Sequence, residues 1–337
     1  MKIFLYPHEE VKRELPKNIR KEDFWLFERV ILGRFGEVYS KEFENVYIFS
    51  SGVCISKGKI LFDVFYGDFE HSFLSVVNMI FRIIKGVIKV KKIVNLDNCL
   101  FLTDAFSRSF FHWFLDVLQK LEVILDRRLD LKEYNLLIPQ KFFTSFAIST
   151  LKLYGTPYRM VHDNELIKAK KLVVIPNISP TGNYRNLLVK NIRKRFHITW
   201  PVVREEKIRL YISREKANTR KLKNEKELFE ILKKYNFIKI CMEDLSFEEQ
   251  YRLASKAEML IGLHGAGLTH MLWMKENSKV MEIRAEGDNK NNCYFALASA
   301  LGLQYYYFLA KKVDKDYFLI DLDSFEQNLL TMVEGER

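Results

Sequence analysis

His112 and Asp116 stand four residues apart in the run Phe110-Phe-His-Trp-Phe-Leu-Asp116. At helical spacing the two share a face, and an imidazole beside a carboxylate can take a proton from a hydroxyl group. Apolar residues from Phe110 to Leu121 almost encircle the helix axis, so the helix is expected to be buried. Burying both groups is costly unless they satisfy one another or face a cleft. A core histidine bonded to Asp116 meets the pattern equally well, without any chemistry.

A second set of residues suits the binding of an anion. The apolar run Met259-Leu-Ile-Gly-Leu-His264 breaks at Gly265-Ala266-Gly267-Leu268 and resumes as Thr269-His270-Met271-Leu272-Trp273-Met274. This pattern reads as a buried strand handing over to a helix. Glycines there permit close approach, and the first N–H groups of the helix point outward toward a phosphate. A tight turn without a ligand fits the short motif as well, and the full Gly-x-Gly-x-x-Gly spacing of dinucleotide sites is absent. Ser213, Arg214 and Arg220 follow another strand, and two guanidiniums beside such a turn would cradle a diphosphate. Glu282 at a strand end suits ribose hydroxyls, and a cap or a pairing with Arg284 explains it nearly as well. His264 and His270 are six apart, which is wrong for a zinc pair on one helical face. Asp321-Leu-Asp323 precedes a terminal helix, where Asp323 reads as an N-cap rather than a metal ligand.

The elements that must position these groups are legible in the hydrophobic pattern. The chain has 337 residues, 48% of them apolar, which is enough for two domains with separate cores. Residues 1–70 read as short strands, including 45–53 and 59–67. After the helix containing His112 come a strand at 134–139, a helix at 142–154, a strand at 171–176 and a basic helix at 184–196, which make a mixed α/β domain. Trp200-Pro201 marks a hinge. Beyond it, strands at 208–212, 237–241, 259–263, 279–283 and 304–308 alternate with helices at 224–235, 246–257 and 291–301, and a last helix spans 324–333. Five strands separated by helices imply a parallel, doubly wound sheet that binds ligands at the carboxyl ends of its strands.

Lys and Arg outnumber Asp and Glu by 54 to 43, a net charge of +11 that favours anionic partners. No nucleic-acid motif accompanies it. It is read as support for nucleotide or phosphorylated substrates and for peripheral contact with an anionic membrane. Four scattered cysteines and the lack of a leader-like or membrane-spanning run suggest a cytoplasmic setting, at most peripheral to the inner face of the membrane.

Five stretches in register resemble glycosyltransferase family 61, the group that includes plant xylosyltransferases and animal O-linked N-acetylglucosamine transferases. They are Phe110 to Asp116, Leu210-Tyr-Ile-Ser-Arg214 with Arg220 and Asn224-Glu225, Leu245 to Gln250, Ile261 to Leu268, and Val280 to Ile283. The resemblance runs from about residue 100 to 308. The apparent lack of an anchor is more similar to bacterial members found with capsule and lipopolysaccharide synthesis, and Gln119 stands where a proline is common. The resemblance implies a GT-B architecture, two Rossmann-like α/β domains facing a cleft with the donor nucleotide in the C-terminal one. It also implies inversion at the anomeric carbon, with no obligatory metal and no cofactor.

The expected division is an acceptor-side domain at 1–200, a donor domain at 201–312, and a terminal helix in 313–337 packing back on the first domain. The expected activity is transfer of a hexosyl or pentosyl group from a nucleoside diphosphate sugar, UDP-linked by preference. The acceptor is a hydroxyl of a surface polysaccharide or a lipid-linked glycan. Asp116, or His112 polarised by it, would be the base. Ser213, Arg214, Arg220, His264, Gly265, Ala266, Gly267, Leu268 and Glu282 would bind the donor, without a metal. The competing readings are a basic polysaccharide- or nucleic-acid-binding protein, a nucleotide-sugar epimerase and a Rossmann oxidoreductase.

Overall fold

The computed structural model describes residues 3–62, 64, 73–127, 133–202 and 207–335. The chain divides into two compact units, Met1–Glu9 with Phe35–Thr181 and Glu10–Arg34 with Gly182–Arg337.

The first unit is built on a seven-stranded mixed sheet. Its strands are β1 (Lys41–Phe49), β2 (Cys54–Ser56), β3 (Lys59–Ile60), β4 (Lys92–Phe101), β5 (Asn135–Pro139), β6 (Arg159–Val161) and β7 (Glu165–Val174), in the order β6-β5-β4-β7-β1-β2-β3. Strands β6, β5, β4 and β7 run parallel, whereas β7–β1, β1–β2 and β2–β3 are antiparallel. Parallel strands are covered on both faces, which is why β5 and the end of β4 read as continuous apolar runs, Leu136-Leu-Ile and Cys99-Leu-Phe. Val46, Ile48, Cys99, Phe101, Leu137, Ile167 and Leu172 form the core. The strand expected at 59–67 is the short β3; Asp63 and residues 65–67 lie outside the described residues.

The second unit carries β8 (Ile208–Ile212), β9 (Lys221–Leu222), β10 (Phe237–Ile240), β11 (Ala257–Leu263), β12 (Lys279–Ala285), β13 (Gln304–Lys312) and β14 (Tyr317–Leu319). The order is β9-β14-β13-β12-β11-β8-β10, and the five strands from β13 to β10 are parallel. The doubly wound sheet expected from the alternation is therefore present. Its order reverses between β8 and β11, so that both connections leave the carboxyl edge side by side. This is the switch point at which such sheets take their ligands.

Three boundaries differ from the sequence reading. The helix Asn186–Thr199 belongs to the second unit and not to a first domain ending at residue 200. Its Phe196 ring lies 4.3 Å from that of Trp273, a contact between residues far apart in sequence. The terminal helix Leu322–Glu334 also packs in the second unit, where Phe325, Leu329 and Met332 join the core with Leu228 and Phe308. Its N-cap is Asp321, whose carboxylate accepts from Ser324 N at 2.9 Å, two residues earlier than the Asp323 expected. Finally, residues 10–34 fold onto the second sheet. The Asn18 amide bonds both Tyr307 O (2.7 Å) and Tyr307 N (3.1 Å), and Phe27 packs among Phe295, Tyr305 and Tyr307.

Candidate functional site

In the second unit, Ser213-Arg214 follows β8 and His264-Gly265 follows β11, adjacent strands at the switch point. Gly265 caps a helix at Ala266–Trp273 that is 3₁₀ rather than the α-helix expected. Its first turn closes through Leu268 N to Gly265 O at 2.9 Å. The Leu268 N–H is thereby committed, and its side chain is buried, so Leu268 serves the turn rather than a diphosphate. Ala266 and Gly267 stand half-buried at the same turn.

Arg214 is locked over this turn. Its Nε donates to Arg220 O (2.9 Å) and one Nη to Thr219 O (3.0 Å), which leaves the other Nη directed at Gly265. A Cβ on Gly265 would lie 2.1 Å from that nitrogen. The holding loop is strained, because Arg220 has φ +57°, a conformation that persists only where surroundings impose it. Burial first, and then the charge of Arg220, lower the Arg214 pKa, yet a guanidinium stays charged. Two like charges held close on a ligand edge suit an anion that neutralises both.

Ser213 is buried, and its hydroxyl accepts from Glu215 N at 3.2 Å, so it shapes the loop. Glu282 is fully buried on β12; one carboxylate oxygen meets His264 Nδ1 and the other accepts from Tyr305 OH at 2.5 Å. Burial raises its pKa, but His264, Arg284 and Tyr305 outweigh burial and the carboxyl ends below its ordinary value. Glu282 is thus placed behind His264 and not open to a ribose, and any influence it has on a ligand passes through that ring. Arg284, its expected alternative partner, sends its fork to Asn292 Oδ1 (2.8 Å) and Asp288 O (2.5 Å) instead. His264 is half-buried, edge-on to Tyr294 at 5.1 Å, with Nε2 turned away from Glu282.

The glycines of this turn predict losses of different origin. At Gly265 the obstacle is the Arg214 guanidinium, so Gly265→Ala should displace that side chain and cost the protein roughly 1–3 kcal/mol for its two backbone hydrogen bonds. At Gly267 a Cβ would meet Ile212 Cγ2, a core atom, at 2.8 Å. Gly267→Ala should therefore destabilise by roughly 1–3 kcal/mol, as read by chemical denaturation.

In the first unit the helix after β4 runs through Phe110–His112, a π-helical stretch Trp113–Val117, and Leu118–Asp126. Such π stretches are frequent at functional sites. At the residue where proline is common in the resembling family, Gln119 instead donates its side-chain amide to Leu115 O. The expected pairing is present, with His112 Nδ1 2.6 Å from Asp116 Oδ2. Asp116 is 8% exposed and the His112 side chain 19%, so the imidazole is the outer member. Burial pushes the Asp116 carboxyl above its ordinary range, only partly offset by His112.

The sequence reading missed Asp104 and Lys120, both 4% exposed, whose charges act on Asp116 in opposite directions, Asp104 raising its pKa and Lys120 lowering it. Lys120 lies 3.9 Å from Asp104 and donates to Leu102 O at 3.2 Å. Asp104 Oδ1 accepts from Phe106 N and Ser107 Oγ at 2.9 and 3.0 Å. One signal was available: Lys120 follows Asp116 by four residues on a helix, the same spacing that singled out His112.

The doubly wound sheet with a glycine turn at its switch point belongs to a chain that sequence similarity places among the glycosyltransferases. Residues 110–281, just over half of the chain, match the family model Glycosyltransferase 61, and the chain belongs to that family. It is similar to the EGF domain-specific O-linked N-acetylglucosamine transferase of Gallus gallus, at 32% identity over 37% of this chain and 24% of that protein. The Xenopus laevis protein of the same name is 29% identical over 49% of this chain and 33% of its own length. The Drosophila melanogaster one is 36% identical over 30% and 20%. The match therefore spans a fifth to a third of these relatives.

Proposed function

We propose that the protein transfers a sugar from a nucleoside diphosphate sugar, UDP-linked by preference, to a glycan hydroxyl by single displacement with inversion. The observation that carries this reading is Arg214, locked by two backbone carbonyls over the glycine turn beside a second arginine. The reading gives Arg214, Arg220 and the turn at Gly265–Gly267 the task of stabilising the departing diphosphate by preorganised charge. His264, oriented by Glu282, lies at the same edge. His112 is the base: its Nδ1 bonded to Asp116 leaves Nε2 to take the acceptor proton, while Asp116 fixes the ring and stabilises the imidazolium that forms. The reading further places the two units in a GT-B arrangement, the acceptor on a surface polysaccharide or lipid-linked precursor, and the protein on the cytoplasmic side of the membrane. Among the described residues no group of three or more His, Cys, Asp or Glu is placed to hold a metal, and the proposal uses none.

The test is thermal stabilisation by UDP, GDP, CMP, ADP and NAD, with and without chelator, since a ligand of the folded state raises the midpoint with its affinity. A shift with one nucleoside diphosphate that chelator leaves unchanged is expected; a shift with NAD alone, or with no nucleotide, overturns the proposal. Arg214→Ala should weaken the diphosphate by roughly 1.5–3 kcal/mol in titration calorimetry, and unchanged affinity would remove Arg214 from the site. The names of the relatives raise a second acceptor class, an EGF domain. Offering this domain and a lipid-linked glycan to the same labelled donor separates the two.

A further inference from the structure

The helix Phe73–Lys89 carries none of the candidate site residues, and from Val76 onward its side chains fall into three strips around the axis. One faces inward: Met79 is fully buried with Phe49 and Val53, and Ile83 packs against them. Gly86 brings the helix so close that a Cβ there would lie 2.8 Å from Phe49 Cδ1. The next strip is apolar yet outward. Ile80, Phe81, Ile84, Val87 and Ile88 are between 46% and 78% exposed. At 100° per residue they form one continuous band, where scattered single hydrophobics would need no explanation. The third strip holds Arg82, Lys85 and Lys89, bordering the apolar band next to Phe81. Between Phe73 and Lys92 there is no Asp or Glu, whereas Lys91 and Lys92 extend the positive charge. Lys89 meets Asp163 at 3.6 Å and Lys92 meets Glu165 at 3.5 Å, and Arg82 is engaged by neighbours of its own.

We infer that this helix lies in the plane of an anionic membrane surface. Ile80, Phe81, Ile84, Val87 and Ile88 sit at the acyl boundary, and Lys85 and Lys89 lie among the lipid phosphates. An apolar band flanked on one side by cations is the distribution that suits an interfacial helix. Charge complementarity selects the occupant: a second copy would set one basic strip against another, whereas an anionic headgroup layer neutralises it. The helix does not cross the bilayer, as no helix among the described residues is long and apolar enough to do so. The inference is independent of the transferase reading, because the binding requires neither donor nor acceptor.

The test is co-sedimentation of the full chain with vesicles of phosphatidylcholine alone and of phosphatidylcholine mixed with phosphatidylglycerol, at low and high salt. Binding is expected to the mixed vesicles and to weaken with salt. Phe81→Asp with Ile88→Asp should lower it about tenfold or more for each side chain, from the lost apolar burial. Lys85→Gln with Lys89→Gln keeps the apolar band and should lower it roughly fivefold for each cation removed. All four positions are exposed, and unchanged circular dichroism and melting confirm that the variants fold. The inference is overturned if the wild type binds neither vesicle, or binds both equally. It is also overturned if light scattering shows a dimer that Phe81→Asp with Ile88→Asp dissolves.

Discussion

Asp116→Asn is expected to lower kcat by about 10²–10⁴-fold, the contribution of a positioned base, with donor affinity unchanged. The carboxylate accepts from His112 Nδ1 at 2.6 Å; an amide can present its NH₂ there instead, which turns the ring to the tautomer whose Nε2 carries the proton. The variant should remain folded. Burial is the largest influence on Asp116 and holds its pKa above the ordinary value. The folded state therefore binds the proton more readily than the unfolded chain, and the stability from this group is present at low pH and lost as pH rises through the folded pKa. At neutral pH the ionised carboxylate is a burden that Asn removes, so the melting midpoint should hold or rise while turnover collapses. His112→Gln should produce a loss of similar size. Because the two side chains act as one unit, the double variant should be little worse than the worse single one. Steady-state kinetics at saturating donor, paired with nucleotide titration, decides the matter. Independent, additive losses would sink the dyad, and an Asp116→Asn enzyme with wild-type kcat would remove it altogether.

How much of this was legible in the residues depends on the range over which each signal acts. Spacing on one element was enough to pair His112 with Asp116, and strand–helix alternation was enough to place the Gly265 turn and Ser213-Arg214 on one edge. The boundary expected at Trp200-Pro201 rested on a local composition cue, and that point falls inside the second unit. Asn186–Thr199 is held by contacts such as Phe196 with Trp273, which no local pattern encodes. The same is true of residues 10–34, whose place is set by Asn18 reading the Tyr307 backbone from far along the chain. Glu282 was assigned to a ribose because a carboxylate at a strand end commonly serves one. Its true neighbours, His264 and Tyr305, come from the strands on either side. The 3₁₀ turn after Gly265 and the π stretch around Asp116 are also tertiary outcomes, since apolar periodicity does not distinguish among helices of different pitch.

Glu282→Ala is expected to destabilise the protein by roughly 3–5 kcal/mol, the penalty for removing one partner of a buried ion pair. The carboxylate is fully buried and joins three strands, from His264 at the end of β11 through β12 to Tyr305 on β13. Without it Tyr305 OH loses its acceptor, and the buried Arg284 guanidinium loses one of the charges that compensate it. Tyr305→Phe removes only the 2.5 Å hydrogen bond and should cost about 1.5–3 kcal/mol, the range for a bond to a charged group. Denaturant titration orders the two, with Glu282→Ala the larger. The pH dependence supplies a second check. Because the folded-state pKa of Glu282 is depressed, its contribution is present above the unfolded value of 4.5 and is lost as pH falls through the folded one. The stability gap between wild type and Glu282→Ala should therefore be full at neutral pH and narrow on acidification below that value. A gap that persists unchanged into acid would mean that packing, not charge, holds this junction, and His264 would then owe its orientation to Tyr294 rather than to Glu282. Activity separates these cases: if Glu282 orients His264 toward the diphosphate, Glu282→Gln lowers donor affinity in protein that is still fully folded.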